Sequence, residues 1–192
     1  MSDKLTHANM AKVLRKREWA KSAEKDKRIA KLEKDSIIDE LTGVLNRRGL
    51  DKSLKDLKTK HSKNIVFYMI DIDFFKSFND EHGHDTGDRA LKFTSEKLIG
   101  ITRPGDIVAR YGGEEFILVL PNAPQGEDLE NISSRLVQIF NESKFEENLS
   151  LTISVGIAKH KPRENFLSAI SRADKALYEA KKGGRNKFVV AQ

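Results

Sequence analysis

Hydrophobic residues fall into two rhythms along this 192-residue chain, one of strands and one of helices. From Ile65 to Ile70 they run without interruption, β-branched and aromatic, and stop at Asp71 and Asp73. That is the pattern of a buried strand emerging at a polar site. Strand-like runs at Asp106 to Tyr111 and Glu115 to Leu120 flank Gly112 and Gly113, which predicts a tight β-hairpin ended by Pro121. Leu151, Ile153, Val155 and Ile157 alternate within a further strand from Leu149 to His160. Elsewhere the spacing is helical: Asn46 to about Lys60, Phe75 to Glu81, Asp85 to Ile101, residues 125 to 142, and Glu164 to Lys182. In the third of these Leu91, Phe93, Leu98 and Ile99 are expected to face the core; in the last, Phe166, Ile170, Ala173, Leu177 and Ala180 share a side. Gly183 and Gly184 stop that helix, and Phe188 to Val190 can close the sheet as an edge strand.

Residues 3 to 37 contain neither Pro nor Gly and read as one long charged helix. Leu5, Val13, Leu14, Trp19, Ile29, Leu32 and Ile37 keep no strict heptad, so a coiled-coil or packed stalk and a mostly solvated helix both stay open. The expected division is a helix or stalk over residues 1–37 and one compact domain over residues 38–192, beginning with a turn around Gly43.

Composition sharpens this picture. Hydrophobic residues at 38% and charged residues at 33% suit a folded, well-solvated protein. The absence of cysteine excludes disulfides, thiolate chemistry and cysteine metal sites, and points to a reducing cytoplasm. No apolar run reaches the roughly 20 residues needed to cross a bilayer, and the first ten residues lack a secretory apolar core. The net charge of +6 invites a nucleic-acid reading, but residues 1 to 35 hold eleven Lys or Arg against six Asp or Glu. Most of the excess therefore belongs to the first helix, and no nucleic-acid partner is expected.

Two carboxylate pairs carry the candidate chemistry: Asp71 with Asp73 at a strand end, and Glu114 with Glu115 beyond the glycine turn. If the strands are neighbours, the acids converge into a site for a hard divalent cation and substrate phosphates. By themselves they are also what two solvated turns would carry.

Further motifs decide between these readings. Tyr111-Gly112-Gly113-Glu114-Glu115-Phe116 resembles the GGDEF signature in its common GGEEF form. It is accompanied, in the order of that family, by DELTGVLNRR at Asp39 to Arg48, IDIDFFKSFND at Ile70 to Asp80, GHDTGD at Gly83 to Asp88 and ADKALYEAKKGGRN at Ala173 to Asn186. The chain thus resembles the GGDEF-domain diguanylate cyclases from about Asp39 to Lys187. The resemblance implies an α+β fold, with a central, mostly antiparallel sheet flanked by helices, similar to the palm of nucleotidyl cyclases and some polymerases. It implies an enzyme condensing two GTP into cyclic di-GMP with two Mg²⁺ ions per site, Mn²⁺ being the alternative.

Carried over residue by residue, the resemblance makes Asp71 a metal ligand through its carboxylate and Ile72 one through its carbonyl. Glu114 becomes a ligand and base, with Glu115 as its helper. It assigns phosphates to backbone N–H groups at Phe74, Phe75 and Lys76, where a loop enters a helix, and to Lys181 and Arg185. Alone, those two cations are more often ordinary charges favourable to a helix C-terminus. Asn79 and Asp88 match the guanine-reading positions, a carboxylate accepting from the donors on guanine's edge. His84 lies by that pocket in the family pattern and is equally a residue that closes a turn.

Arg103-Pro104-Gly105-Asp106 matches the RxxD product-binding site of the family, with Arg135 as a further cation there. The implied partners are GTP, cyclic di-GMP as product and inhibitor, and a second copy of the chain, since two phosphodiester bonds require two GTP-loaded domains with their sites head to tail. The stalk leaves no room for a complete sensory domain, so an unseen sensory partner is expected to supply the input. The alternative is a catalytically silent receptor that binds cyclic di-GMP through Arg103 and Asp106.

Overall fold

The computed structural model describes residues 36–59, 62–146 and 149–192, together with Trp19, Glu24 and Lys25. The helix expected over residues 3 to 37 lies almost wholly outside the described residues. Within the compact unit Ile37–Gln192, five helices flank the sheets: α1 (Arg47–Thr59), α2 (Phe75–His82), α3 (His84–Ile101), α4 (Glu127–Glu142) and α5 (Phe166–Lys182). The strands are β1 (Val66–Ile72), β2 (Ile107–Arg110), β3 (Glu115–Leu120), β4 (Lys144–Glu146), β5 (Leu149–Ser150), β6 (Ile153–Lys159) and β7 (Phe188–Val190).

The main sheet has the order β2-β3-β1-β6-β7. All pairings are antiparallel except β6 with β7. The apolar run of β1 places it at the centre, where a strand needs both faces covered. Val66, Tyr68, Ile70 and Ile72 pack with Leu91 and Leu98 of α3 and Leu129, Leu136 and Phe140 of α4. Phe67 and Met69 pack on the opposite face with Leu50, Leu54 and Leu57 of α1 and Ala169, Ile170, Ala173 and Leu177 of α5. Each fully buried side chain of this size contributes about 1.5–3 kcal/mol.

The alanines of α5 let it sit close to the sheet. A Cβ on Gly156 in β6 would collide with the backbone of Ala173 and Leu177, so even Gly156→Ala would force α5 off the strand. The site at the far end of α5 depends on that closeness.

Two expectations need correction. Ile99 is 50% exposed, because the buried stripe of α3 runs through Leu91, Ser95 and Leu98 and Ile99 lies about 100° further round the helix. The run from Leu149 to His160 is two strands, not one. β5 turns back onto β4, and Thr152 leaves the ladder so that its carbonyl accepts the N–H of Asp73 at 2.9 Å. Leu151, Ile153, Val155 and Ile157 nevertheless share a face, as their alternation predicts.

Candidate active site

β1 and β3 run antiparallel with Asp71 opposite Glu115, so the pairing itself brings the acid groups together at one end of the central strands. Glu114 lies one residue away in the turn between β2 and β3. Ile72 ends β1 opposite Ile153. From the last turn of α5, Lys181 extends its ammonium to Asp71 Oδ2 at 2.7 Å.

The electrostatics of the acids are strained. Burial pushes the Asp71 carboxyl up more than the Lys181 ammonium draws it down. Glu114 is raised by burial and then by the Asp71 charge, and Glu115 for the same reasons in the same order. Three acids share one paired cation. A divalent ion fits that imbalance, since it favours the charged forms that burial and mutual repulsion oppose. Among the described residues no three acidic or histidine side chains form a closed metal cage. The set matches a cation that takes one or two carboxylates and completes its shell with substrate phosphates and water.

Asp73, its neighbour on the strand, behaves differently. Its carboxylate accepts from Ser154 Oγ at 2.6 Å, Thr152 Oγ1 at 2.8 Å and the Asn186 N–H at 3.0 Å. With those bonds it ties the loop after α5 to the end of β1 and leaves Asp71 as the member of the pair with lone pairs to offer.

The glycine turn has its own brace. Arg110 donates from Nε and Nη2 to the Gly113 carbonyl at 3.1 and 2.7 Å, and from Nη1 to Asp39 Oδ1 at 3.2 Å. Asp39 also accepts from Thr42 N–H and Oγ1 at 3.0 and 2.6 Å. Burial opposes its charge, but those bonds and the Arg110 guanidinium hold its carboxyl below the usual value. The sequence motif containing Asp39 thus fixes the turn that carries Glu114. The Arg47 guanidinium lies over the Tyr111 ring at 4.7 Å and adds to the brace.

Beside the acids, Phe74 caps α2 without a side-chain hydrogen bond, so Phe75 and Lys76 open a first turn whose N–H groups have no intrahelical acceptors. Phe75 is buried and Lys76 exposed. Arg185 follows α5 and sets its guanidinium over the Phe74 ring. Across the α2–α3 junction, Asn79 Oδ1 is buried with no hydrogen-bond partner among the described residues. A Cβ on Gly87 would collide with that oxygen, so glycine is what lets α3 approach Asn79 so closely. His84 and Asp88, on the same first turns of α3, are exposed.

Arg103, Asp106 and Arg135 stand apart from these residues and together line a cavity of about 530 Å³ between α3, α4 and the sheet. Arg103 is already engaged: its N–H donates to Asp106 Oδ2 at 3.0 Å, and Nη2 donates to the carbonyls of Pro121 and Asn122 at 2.9 and 3.0 Å. Tyr68 lies in the cavity wall, bonded to Ser133 at 3.0 Å. Burial pushes its hydroxyl up to about 12, with the Asp106 charge adding to the effect.

Residues 36–187 match the family described as diguanylate cyclase, GGDEF domain. The chain belongs to the GGDEF family. It is 34% identical over 166 residues to diguanylate cyclase VdcA of Vibrio cholerae, covering 84% of this chain and 49% of that protein. It is 36% identical over 156 residues to diguanylate cyclase DgcZ of Escherichia coli, covering 79% of this chain and 52% of that protein. The chain therefore spans about half the length of these curated relatives. Among solved structures, the coiled coil and GGDEF domain of DgcB from Caulobacter crescentus, in complex with c-di-GMP, superposes with a TM-score of 0.74 at 30% identity. That match covers 93% of this chain and 99% of the other. The α+β GGDEF fold expected from the sequence is thus established.

Sequence reasoning grouped Asp73 with Asp71 as a candidate cation carboxylate and missed that the chain itself fills it, and it overlooked Arg110. Asp73 was visible as an acid, but its three donors are 79, 81 and 113 residues away. Arg110 directly precedes the signature, and its Asp39 partner is 71 residues distant. Only the Asp39–Thr42 turn had a local signal, an Asp with a Thr three residues on. Among the described residues no helix is long and apolar enough to cross a membrane.

Proposed function

We propose that this GGDEF-family chain condenses two GTP molecules into one cyclic di-GMP and two pyrophosphates. The observation that carries the reading is the convergence of Asp71, Glu114 and Glu115 on Lys181 at one end of β1 and β3. Asp71, the Ile72 carbonyl and Glu114 would hold Mg²⁺, with Mn²⁺ as a substitute and two ions per site. When bound, the ions neutralise triphosphate charge, acidify the attacking 3′-hydroxyl and stabilise departing pyrophosphate.

The chain's own residues do the rest. Glu114 accepts the proton of a 3′-hydroxyl whose oxygen then attacks the α-phosphorus of the other GTP, and pyrophosphate leaves. Glu115 supports Glu114 from the start of β3. The N–H groups of Phe74, Phe75 and Lys76 receive phosphate oxygens at the start of α2, and Lys181 and Arg185 add charge from the end of α5. Lys181, held by Asp71 at 2.7 Å, would be free to turn to phosphate with that carboxylate engaged elsewhere.

Asn79 and Asp88 read guanine. The Asn79 side-chain amide and the Asp88 carboxylate meet guanine's N1–H and amino group, which adenine cannot match. His84 borders the same pocket. Each domain carries one GTP, so the active species is a head-to-tail homodimer whose pairing is set by residues 1–37 or by an unseen partner. Cyclic di-GMP binds at Arg103, Asp106 and Arg135 and slows the enzyme from there, a reading supported by the shared cavity and by the c-di-GMP complex of the DgcB relative.

The cavity also favours a second reading, a receptor that binds cyclic di-GMP without making it. Incubating the purified chain with Mg²⁺ and an equal mixture of GTP and ATP, then weighing the products, separates the two. Cyclic di-GMP as the dominant product is expected. Abundant mixed cyclic product overturns the roles of Asn79 and Asp88, and no cyclic product with intact cyclic di-GMP binding leaves the receptor.

A further inference from the structure

Two loops beside the acids hold non-glycine residues in the left-handed region: Phe74 at φ 56°, and Arg185 and Asn186 at φ 63° and 48°. Such conformations persist only where the surroundings enforce them. Asp73, which directly precedes Phe74, accepts the Asn186 N–H and so ties the two loops together. Phe74 is turned outward and is 63% exposed, an aromatic ring that the core does not use. The Arg185 guanidinium lies 4.4 Å from its centroid, and its charge also helps draw the Asp71 carboxyl down. The ring is the group this cation rests against directly.

Resting on the reading above, we propose that Phe74 is a positioning residue for the nucleotide: its ring holds the Arg185 guanidinium over the start of α2, ready for the triphosphate, and Asp73 sets the two loops at that spacing. Stacking leaves the in-plane N–H donors of a guanidinium free to fork onto phosphate oxygens. It also restricts a long side chain before the ligand arrives, so less freedom is lost on binding. A carboxylate partner would hold the cation as well, but would compete with phosphate for the same donors. An aromatic ring does not.

The test is calorimetric titration of the full chain with Mg²⁺ and the uncleavable probe guanosine 5′-(α,β-methylene)triphosphate. Phe74→Ala weakens binding about two- to fivefold, the scale of an exposed cation–π contact. Phe74→Tyr restores it. Phe74→Asn, which suits the left-handed backbone better than Phe, does not, and that separates the ring from the backbone strain. In an Arg185→Ala background, Phe74→Ala has no further effect. Parent-like binding by the Asn or Ala variant, or an undiminished loss in the Arg185→Ala background, overturns the inference while the parent's own binding leaves the proposed function standing. A parent chain that does not bind the probe overturns both.

Discussion

The two ends of α5 carry the same kinds of charge to opposite effect. At its N-terminal end Glu164 meets Arg172 through two bonds of 2.9 and 2.8 Å, and its carboxylate also accepts the Lys161 N–H at 2.9 Å. Arg172 donates onward to the Lys159 carbonyl at 2.6 Å. The bonds from Arg172 draw the Glu164 carboxyl down to about 2. At the C-terminal end Lys181 makes a single contact with Asp71, and Glu114 and Glu115 crowd the same place with all three carboxyls raised. A carboxylate whose lone pairs are filled by the chain stabilises the fold. Carboxylates left short of positive charge are suited to bind what arrives.

The contrast can be broken at either end, and the largest effect belongs to the C-terminal one. Glu114→Gln is expected to lower turnover of GTP by at least about 100-fold, the scale for one preorganised electrostatic group. Its unfolding midpoint should not fall. The fold opposes ionisation of this raised carboxyl, so the stability it contributes is complete below the ordinary value of 4.5 and lost as pH rises through the raised one. A destabilised Glu114→Gln protein would place the residue with the structural pairs instead.

Glu164→Gln is the opposite case. It should cost about 1.5–3 kcal/mol of unfolding free energy, the range for hydrogen bonds to charged groups, while the rate per folded molecule stays within a few-fold of the parent. Because the folded carboxyl is depressed, its stabilisation is complete above the ordinary 4.5 and drains as pH falls toward about 2. Thermal melts across that range should show the parent losing stability faster than Glu164→Gln. The smallest effect is expected at the helix cap. Asn165 accepts the Leu167 N–H at 3.1 Å, and Asn165→Ala should cost about 1 kcal/mol with no change in nucleotide binding.

The same contrast explains what could be read from the sequence. β1 was legible because an unbroken β-branched and aromatic run has one solution, and the glycine turn because two strands flank it. The Asp71–Glu115 pairing then followed from the strands being neighbours. The loops that finish the site were not legible. Asp73 and Asp71 look alike two residues apart, yet one is filled by Thr152, Ser154 and Asn186 and the other offers its charge. Nothing local distinguishes them, because the donors come from Thr152 just before β6, from β6 itself and from the loop after α5. Ile99 and the break before β6 were misread for the same kind of reason: the first needs the angle at which α3 meets the sheet, the second the pairing of β5 with β4 rather than β1.

The central claim, that the C-terminal end of α5 with β1 and β3 forms a catalytic centre, is tested most directly by one comparison. The initial rate of cyclic di-GMP formation from GTP and Mg²⁺ is measured for the parent and for Asp71→Asn at equal folded fraction. The account predicts cyclic di-GMP from the parent and at least about a 100-fold lower rate from the variant. Rates within a few-fold of one another, or a parent that forms no cyclic di-GMP, would contradict it.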